Sequence, residues 1–278
     1  NAGKVLLAYQ DQGNNNYGTA IVGTVSGTSI SFGTPNVFES AQSNYMTPVY
    51  DANAQKVVIY YGDVDNSTSL TAVVATISGT GVSFGSPVVV NSGATYNYGA
   101  GYDSSAQKTV VVFEDRASTT GKAAVGTVSG TSISFGSTAT FTSNQPTANR
   151  VVYDTNANKS VILFSDTSDS SKGKSVVGTV SGTSISFGSV VVFNDANTSS
   201  LCATYNSDEN EVIVSFVDNG NSQYGTYVAG TVSGTSISFS SEVVYEQETV
   251  NSVGGQSAIY DPDQSRSVFG YKDNSDNS

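Results

Sequence analysis

The side chains best suited to ligand chemistry in this 278-residue sequence are tyrosines and asparagines in its polar loops. A tyrosine ring can stack on the apolar face of a sugar, while nearby amides hydrogen-bond the sugar hydroxyls. The pattern therefore predicts a glycan-binding surface, although each residue taken alone also fits an ordinary loop. The candidate ligand-binding residues are Asn16, Tyr17, Asn44, Tyr45, Tyr96, Tyr98 and Tyr224.

Aspartates alternate with other oxygen donors in several loops, as in Asp63-Val64-Asp65-Asn66. Such alternation is how a loop can wrap a hard cation, so calcium is the one cofactor to consider. The loops lack the sixth-position glycine and the terminal glutamate of an EF-hand. A structural role is therefore favoured, in which the first carboxylate accepts backbone N–H bonds at the loop entry. The candidate metal ligands are Asp63, Asp65, Asp166, Asp169 and Asp218.

Catalysis has little support in the sequence. There is no histidine, which is the commonest general base and a common metal ligand. A glycosidase needs two carboxylates, and only Glu114 departs from the regular spacing of the acids at the end of an apolar run. We predict no catalytic residue, with a glycoside-active enzyme as the lowest-ranked alternative. Cys202 stands in an apolar run and is predicted to be a small buried side chain.

The loops belong to a sequence repeat. The motif Val-Gly-Thr-Val-Ser-Gly-Thr-Ser-Ile-Ser-Phe-Gly occupies residues 125–136, and a period of about 52 residues is typical of solenoids, propellers or arrays. Its Ser-Gly-Thr joins two strand-like runs, and glycine can supply the positive φ of a tight β-hairpin turn. Versions of the motif start at Val22, Val74, Val125, Val177 and Ala229.

Each repeat contains four strand-like runs, which we label A to D. Small residues such as Gly99-Ala100-Gly101 fit a crowded axis, so the run that contains them is predicted to be the innermost strand, A. The run that starts with a lysine is B, and the glycine-linked hairpin supplies C and D. Four antiparallel strands per repeat, with no helical pattern between them, predict an all-β fold and a β-propeller of four-stranded antiparallel blades.

We predict a single propeller domain over residues 1–278. Five blades are favoured, because the last A strand can join the first blade and leave one B strand over; six blades are the alternative. The spare strand would be displaced, exchanged with a neighbour or the start of further repeats. The predicted units are a partial blade at 1–45, repeats 46–97, 98–148, 149–200 and 201–255, and a partial blade at 256–278.

Charge and composition argue against nucleic acid and membranes as partners. The net charge of −12 would repel nucleic acid and anionic membrane surfaces. No apolar run reaches the roughly 18 residues that cross a bilayer, so no membrane insertion is expected. The weakly charged polar coat is common in extracellular proteins, and a start at Asn1 without methionine is expected of a processed or excised piece.

The B–C and D–A loops share one face of the predicted propeller and differ from repeat to repeat, whereas the A–B and C–D turns hardly change. A constant frame with variable loops on one face is typical of binding proteins. The alternative is that the loops vary because nothing constrains them.

The hairpin motif at 125–136 resembles modules of phage tail-fibre-like proteins and bacterial surface proteins of the adhesin type, over the whole chain. The resemblance implies an adhesive role on a virion, on a cell surface or in secreted form, and carries over no catalytic residue. We therefore predict a non-catalytic module that binds a glycan or cell-surface receptor. The alternative is a structural repeat module whose partners are other subunits of a fibre or surface assembly.

Overall fold

The computed structural model describes residues 3–250 and 256–273. Residues 251–255, in the last predicted D–A loop, and 274–278, in the last predicted partial blade, lie outside the described residues. Apart from one short 3-10 turn at Thr167–Asp169, every regular element in the described ranges is a β-strand, which confirms the all-β prediction. All strand pairs in these ranges are antiparallel.

The B and C strands form a regular series along the chain. The B strands are β1 (Lys4–Asp11), β5 (Lys56–Asp63), β10 (Lys108–Asp115), β15 (Lys159–Asp166), β19 (Glu211–Asp218) and β24 (Arg266–Gly270). The C strands are β2 (Tyr17–Ser26), β6 (Ser69–Ser78), β11 (Thr120–Ser129), β16 (Lys172–Ser181) and β20 (Tyr224–Ser233).

Each D strand has two segments that pair with the same C strand. The first segments are β3 (Ser29–Phe32), β7 (Gly81–Phe84), β12 (Ser132–Phe135), β17 (Ser184–Phe187) and β21 (Ser236–Phe239). The second segments are β8 (Val88–Asn91), β13 (Ala139–Thr142), β22 (Val243–Glu246) and the first halves of β4 (Asn36–Asp51) and β18 (Val191–Asn206). The A strands are β9 (Thr95–Asp103), β14 (Pro146–Asp154), β23 (Ser257–Asp261) and the second halves of β4 and β18.

Two of the predicted D–A loops are therefore continuous extended backbone, because β4 and β18 run through residues 39–47 and 194–200. Their polar composition suggested loops. One residue in each A strand of blades 2 to 5 instead forms a bulge with positive φ, which interrupts the register without ending the strand. These residues are Tyr45, Asn97, Ala148 and Ser200.

We number the units as blades. Blade 1 comprises β1 to β3 with the first half of β4, blade 2 runs to β8, and blade 3 comprises β9 to β13. Blade 4 comprises β14 to β17 with the first half of β18, blade 5 runs to β22, and β23 and β24 form a terminal hairpin. The C–D turn glycine has a positive φ in all five blades, as the sequence predicts; Gly130 has φ of 60°.

The A strands lie against one another, and small residues make this approach feasible. A Cβ on Gly99 would collide with the backbone of Asn149 in the next A strand. At the other end of the strand, the hydroxyl of Tyr102 accepts a hydrogen bond from the backbone N–H of Asn53, 3.1 Å away in the preceding blade. Tyr153 and Tyr205 repeat this contact in blades 4 and 5.

The core lies between successive blades. Ile133 of β12 is 4% exposed and packs with Val58 and Tyr60 of blade 2. A Cβ on Gly136 would collide with the carbonyl of Thr183 in the C–D turn of blade 4, so the motif ends in a glycine that the blade contact requires. Cys202 is buried, as predicted.

The structure has the four-stranded antiparallel units of a β-propeller-like fold. In the described residues, β23 and β24 form a sheet of their own, and no strand pairing joins them to β1 or β2. The predicted five-bladed ring and the six-bladed alternative therefore stay predictions.

Candidate functional site

The most elaborate group of polar side chains lies in blade 3, where β9 begins and β10 ends. Tyr96 and Glu114 are cross-strand partners there, and the register shifts between Val112 and Glu114. The bulge residue Asn97 has φ of 49°, in the left-handed region. This kink in β9 brings the Asn97 amide towards Glu114 at the face formed by the B–C and D–A loops.

Glu114 is fully buried, and its two carboxylate oxygens are shared among three donors. Oε2 accepts from Nδ2 of Asn97 at 2.7 Å, and Oε1 accepts from Nη1 of Arg116 at 2.9 Å and from Nε2 of Gln145 at 2.8 Å. A buried carboxylate is stable only when it is paired and hydrogen-bonded in this way. The carboxylate also raises the pKa of the Arg116 guanidinium through the same hydrogen bond.

Tyrosine rings form the walls of a pocket above this cluster. The guanidinium carbon of Arg116 lies 5.3 Å from the centroid of the Tyr96 ring, a cation–π geometry. The ring of Tyr45, from the neighbouring A strand, is 65% exposed. Together with Asn97 and Glu114 these residues line a pocket of about 250 Å³. The structure thus brings together two of the predicted ligand-binding residues, Tyr45 and Tyr96.

The scaffold does not require a carboxylate at position 114. The equivalent positions, next to the last aspartate of the other B strands, hold Gln10, Gly62, Ser165 and Val217. Burying a carboxylate opposes folding unless its partners compensate. A buried acid that the repeat can do without, placed beneath an open pocket, is a feature of functional sites.

Tyr98 and Asn44 lie next to the pocket but support it from below. Tyr98 is 6% exposed, and its hydroxyl donates to the carbonyl of Asn44 at 2.7 Å. Its ring contacts Tyr45 edge to face, with the centroids 6.3 Å apart. Burial raises the pKa of the Tyr98 phenol well above its usual range. Tyr98 therefore joins two A strands and holds Tyr45, and its own ring is not open to solvent.

The remaining predicted ligand-binding residues lie in other blades. Tyr17 opens β2 in blade 1, and Tyr224 opens β20 in blade 5. Asn16 precedes Tyr17 with φ of 61° and accepts a backbone hydrogen bond from Ser43 through its carbonyl. None of the three lines the blade 3 pocket.

The loop aspartates hold the loop entries, as the structural alternative predicts. The Oδ1 atoms of Asp63, Asp166 and Asp218 accept backbone N–H bonds from residues two or three positions further on. The Asp115 carboxylate accepts from Ala117, Ser118 and Lys122. Burial alone would raise the pKa of Asp115, but these hydrogen bonds outweigh it and lower that pKa.

The aspartates that suggest calcium have cationic partners in blade 4. Nζ of Lys174 lies 2.8 Å from Asp166 and 2.6 Å from Asp169. Asp65 lies in the turn after β5. Nowhere in residues 3–250 and 256–273 do three or more potential metal ligands come together. The lysine places a positive charge where a calcium ion at the Asp166 loop would sit, and calcium binding stays a prediction.

Sequence reasoning missed two residues of the cluster, Arg116 and Gln145, whereas Asn97 stands among the asparagines next to the candidate tyrosines. Gln145 follows blade 3's D strand and Arg116 follows its B strand, so only the fold brings them to the same carboxylate. The signal available in the sequence was Glu114 itself, whose departure from the repeat marked the right blade.

Comparison with known proteins identifies the fold class rather than a family. No protein-family model matches the chain, and no curated protein matches it. Solved structures of lectins share the fold: the BP39L lectin of Burkholderia pseudomallei has a TM-score of 0.60 at 13% identity, over 93% of this chain and 74% of that one. The SapL1 lectin in complex with alpha methyl fucoside has a TM-score of 0.54 at 15% identity, over 98% and 89%.

An enzyme shares the fold as well. The sialidase of Trypanosoma rangeli, in complex with the inhibitor DANA, has a TM-score of 0.55 at 12% identity, over 99% of this chain and 52% of that one. The likeness at these identities is one of fold. Among the described residues, no helix is long and apolar enough to cross a membrane.

Proposed function

We propose that this protein is a non-catalytic carbohydrate-binding module and that the blade 3 pocket holds the sugar. The observation that carries the proposal is the buried Glu114 carboxylate, which fixes Arg116, Asn97 and Gln145 beneath a pocket flanked by Tyr45 and Tyr96. Groups held by a buried partner are preorganised, so a ligand pays little to order them.

The pocket's chemistry suits a neutral sugar. Tyr45 offers an exposed ring for stacking, and Arg116 is about half exposed, so it retains N–H groups that can donate to hydroxyl oxygens. The Arg116 charge is balanced by Glu114, and the chain as a whole carries −12. Electrostatics therefore favours neutral glycans over sialylated or sulfated ones.

Lectins with this fold bind carbohydrate, which supports a glycan as the class of ligand. Because a fold alone does not fix function, the pocket itself must supply the contacts. An extracellular place, on a cell or virion surface or in secreted form, is part of the proposal. It is supported by the polar, weakly charged surface and by the resemblance of the hairpin motif. The identity of the glycan and of any receptor that bears it is left to experiment.

The rival function is glycoside hydrolysis, which the sialidase likeness raises. Glu114 is the only carboxylate among the residues that line the pocket, and its oxygens are engaged by three donors. Glycosidases that use two carboxyl groups, as acid and base or as acid and nucleophile, need them within about 5–10 Å of each other, and this pocket offers one. Sialidases use a tyrosine nucleophile instead, so for sialosides the expectation rests on the three donors that hold the Glu114 oxygens. We expect no release of product from chromogenic glycosides, sialosides included.

A printed array of neutral and sialylated glycans tests the proposal. Wild-type protein should bind a discrete set of neutral glycans, and Tyr45→Ala and Arg116→Ala should each lower the signal at least about tenfold. Thr147→Ala is the matched control, because Thr147 takes the place of Tyr96 in the next blade. Binding that survives both pocket variants, or no binding at all by wild type, would reject the assignment.

A further inference from the structure

Successive blades meet through one repeated apolar contact. A phenylalanine from the C–D hairpin of each of blades 2 to 5 packs against an aromatic ring of the blade before it. The centroid distances are 5.7 Å for Phe38 and Phe84, 6.2 Å for Tyr60 and Phe135, 6.1 Å for Phe141 and Phe187, and 5.6 Å for Phe193 and Phe239. Four contacts therefore join five blades.

Blade 1 exposes the inserting half of this contact. Phe32 holds the position of Phe84 and Phe135 but is 48% exposed, and Ile30 is 46% exposed where its counterpart Ile133 is buried. Leu7 and Val25 on the same side of the sheet are exposed as well. We call Leu7, Val25, Ile30 and Phe32 the insertion face.

Blade 5 exposes part of the receiving half. A hollow of about 630 Å³ lies against β19, β20 and β22 and continues to the terminal hairpin. In blades 1 to 4 the C–D hairpin of the following blade fills this place. We call the residues of blade 5 around the hollow the receiving face: Ile213, Tyr227, Ala229, Ser240 and Val243.

The inner edge of blade 1 is also incomplete. In the described residues, β1 pairs only with β2, whereas β5, β10, β15 and β19 each have an A strand on their other edge. A second hollow of about 260 Å³, lined in part by Leu6, Pro48 and Tyr50, lies beside β1. The missing partner is thus a strand of type A.

The terminal hairpin carries such a strand. β23 has the Tyr-Asp ending of the other A strands, and its present partner β24 has no buried residue. The internal B strands of blades 2 to 5 are almost entirely buried. β24 occupies the position of a B strand beside β23, and its Phe269 ring contacts Tyr227 and Tyr245 of blade 5 at 6.0 and 5.3 Å between centroids. An incoming B strand has to displace these ring contacts.

We propose that the chain associates head to tail with a second copy of itself. The insertion face of one copy enters the receiving face of the other, and β1 of the incoming copy replaces β24 beside β23. The product is a complete blade with its A strand from one chain and strands B, C and D from the other. An unpaired strand edge is a ready template for such addition.

A second copy is the occupant because the two halves are exposed together on one chain. The four internal contacts are close-packed, and packed interfaces do not bend continuously to bring the ends of an array together. An incoming copy needs no change in those contacts. Head-to-tail interfaces of this kind close into rings or extend as filaments.

One residue limits the strength of the new contact. The motif glycine, which lies against the next C–D turn in blades 1 to 4, is replaced by Ser240 in blade 5. A Cβ at the equivalent Gly188 would collide with the carbonyl of Thr235. The Ser240 side chain therefore stands where Thr28 of a second copy would pack. Association between copies should for this reason be reversible and weaker than the contacts between blades of one chain.

Light scattering after size exclusion, over a concentration series of the full chain at moderate salt, tests the proposal. Wild type should rise from the mass of one chain towards two or more, and Phe32→Asp and Val243→Asp should each remain monomeric. Val89→Asp is the matched control, since Val89 is similarly exposed in blade 2 but belongs to neither face. Ser240→Gly should move the midpoint to at least about tenfold lower concentration, because it restores the glycine contact.

A mixture of the two variants tests whether the contact between copies is head to tail. Phe32→Asp retains a good receiving face and Val243→Asp retains a good insertion face, so an equimolar mixture should form a dimer that neither variant forms alone. A wild type that is monomeric throughout overturns the proposal. So does a monomer whose melting temperature falls more with Phe32→Asp than with Val89→Asp, since that result means that the chain closes on itself.

Discussion

Oε1 of the fully buried Glu114 lies 2.9 Å from Nη1 of the half-exposed Arg116, so a charge hidden in the blade holds a charge that faces the pocket. The pair explains how the loop residue that follows an internal β-strand can present a fixed guanidinium. A free arginine side chain would lose about 2 kcal/mol of rotamer entropy on meeting a ligand, whereas Arg116 is already restrained. Arg116 is therefore preorganised by Glu114 to meet a ligand in the blade 3 pocket.

Replacing the Glu114 carboxylate should lower both the unfolding free energy and the affinity for a glycan. In Glu114→Gln the new amide has one oxygen that can accept a hydrogen bond. Its NH2 group replaces the other oxygen and faces side chains that also donate. We expect a loss of about 1–3 kcal/mol in unfolding free energy and at least a tenfold loss of glycan binding. Denaturant titration and the glycan array measure the two effects. Ser165→Ala at the equivalent place in blade 4 should leave glycan binding unchanged.

Tyr98 and Tyr45 should respond in opposite ways. Tyr98→Phe removes the 2.7 Å hydrogen bond to Asn44 and should lower the free energy of unfolding by about 1 kcal/mol, with glycan affinity within about twofold of wild type. Tyr45→Ala removes a largely exposed ring and should change stability by less than about 0.5 kcal/mol while weakening binding. A large loss of affinity in Tyr98→Phe with unchanged stability would make Tyr98 a ligand contact instead.

Equivalent isoleucines should differ in their contribution to folding. Ile133→Ala deletes a buried side chain between blades 2 and 3 and should cost about 2–5 kcal/mol. Ile30→Ala changes the same motif position where the side chain is exposed, so in dilute solution it should cost well under about 1 kcal/mol. Denaturant midpoints of the two variants measure the contrast. Equal losses in dilute monomer would show that blade 1 is covered in solution.

Acid should remove the contribution of the Asp115 carboxylate to the free energy of unfolding. Its pKa is lowered in the folded state, so its carboxylate stabilises the fold above the unfolded pKa of about 4, and that contribution disappears as pH falls through the folded pKa. The difference in unfolding free energy between wild type and Asp115→Asn should therefore be full near about pH 7 and vanish at about pH 2. A difference that is constant over this range would contradict the assignment.

Calcium should have little effect on blade 4. Lys174 occupies the space between Asp166 and Asp169, so neither added calcium nor a chelator should shift the melting temperature of wild type. Lys174→Gln removes this competing charge and is the sensitised control. A stabilisation of wild type by calcium that Asp166→Asn abolishes would restore the metal site that the aspartate spacing suggests.

The sequence predicted the scaffold well because the scaffold is periodic. The turn glycines, the apolar B strands and the small residues of strand A each follow from local chemistry that is written several times. The D–A segments were harder, since a polar strand such as Asn36–Asp51 has the composition of a loop and only its cross-strand partners show that it is extended.

The site was predicted in part. Tyr45 and Tyr96 stood out as aromatic residues in polar segments, and Glu114 as an acid outside the repeat. Arg116 and Gln145 are 29 residues apart in the sequence and meet at one carboxylate through the packing of strands. Tyr98 has the same composition signal as Tyr96, but its ring is buried in the core beyond the Asn97 bulge while Tyr96 lines the pocket, which the sequence does not reveal.

The most direct test of glycan binding at the blade 3 pocket is an NMR titration that follows the arginine Nε–Hε signals. The chain has three arginines, Arg116, Arg150 and Arg266, and Arg116→Lys assigns the relevant signal by its loss. Addition of a neutral glycan selected on the array should shift the Arg116 signal in a saturable manner and leave those of Arg150 and Arg266 in place. Saturable binding of that glycan with an unmoved Arg116 signal would contradict the blade 3 site.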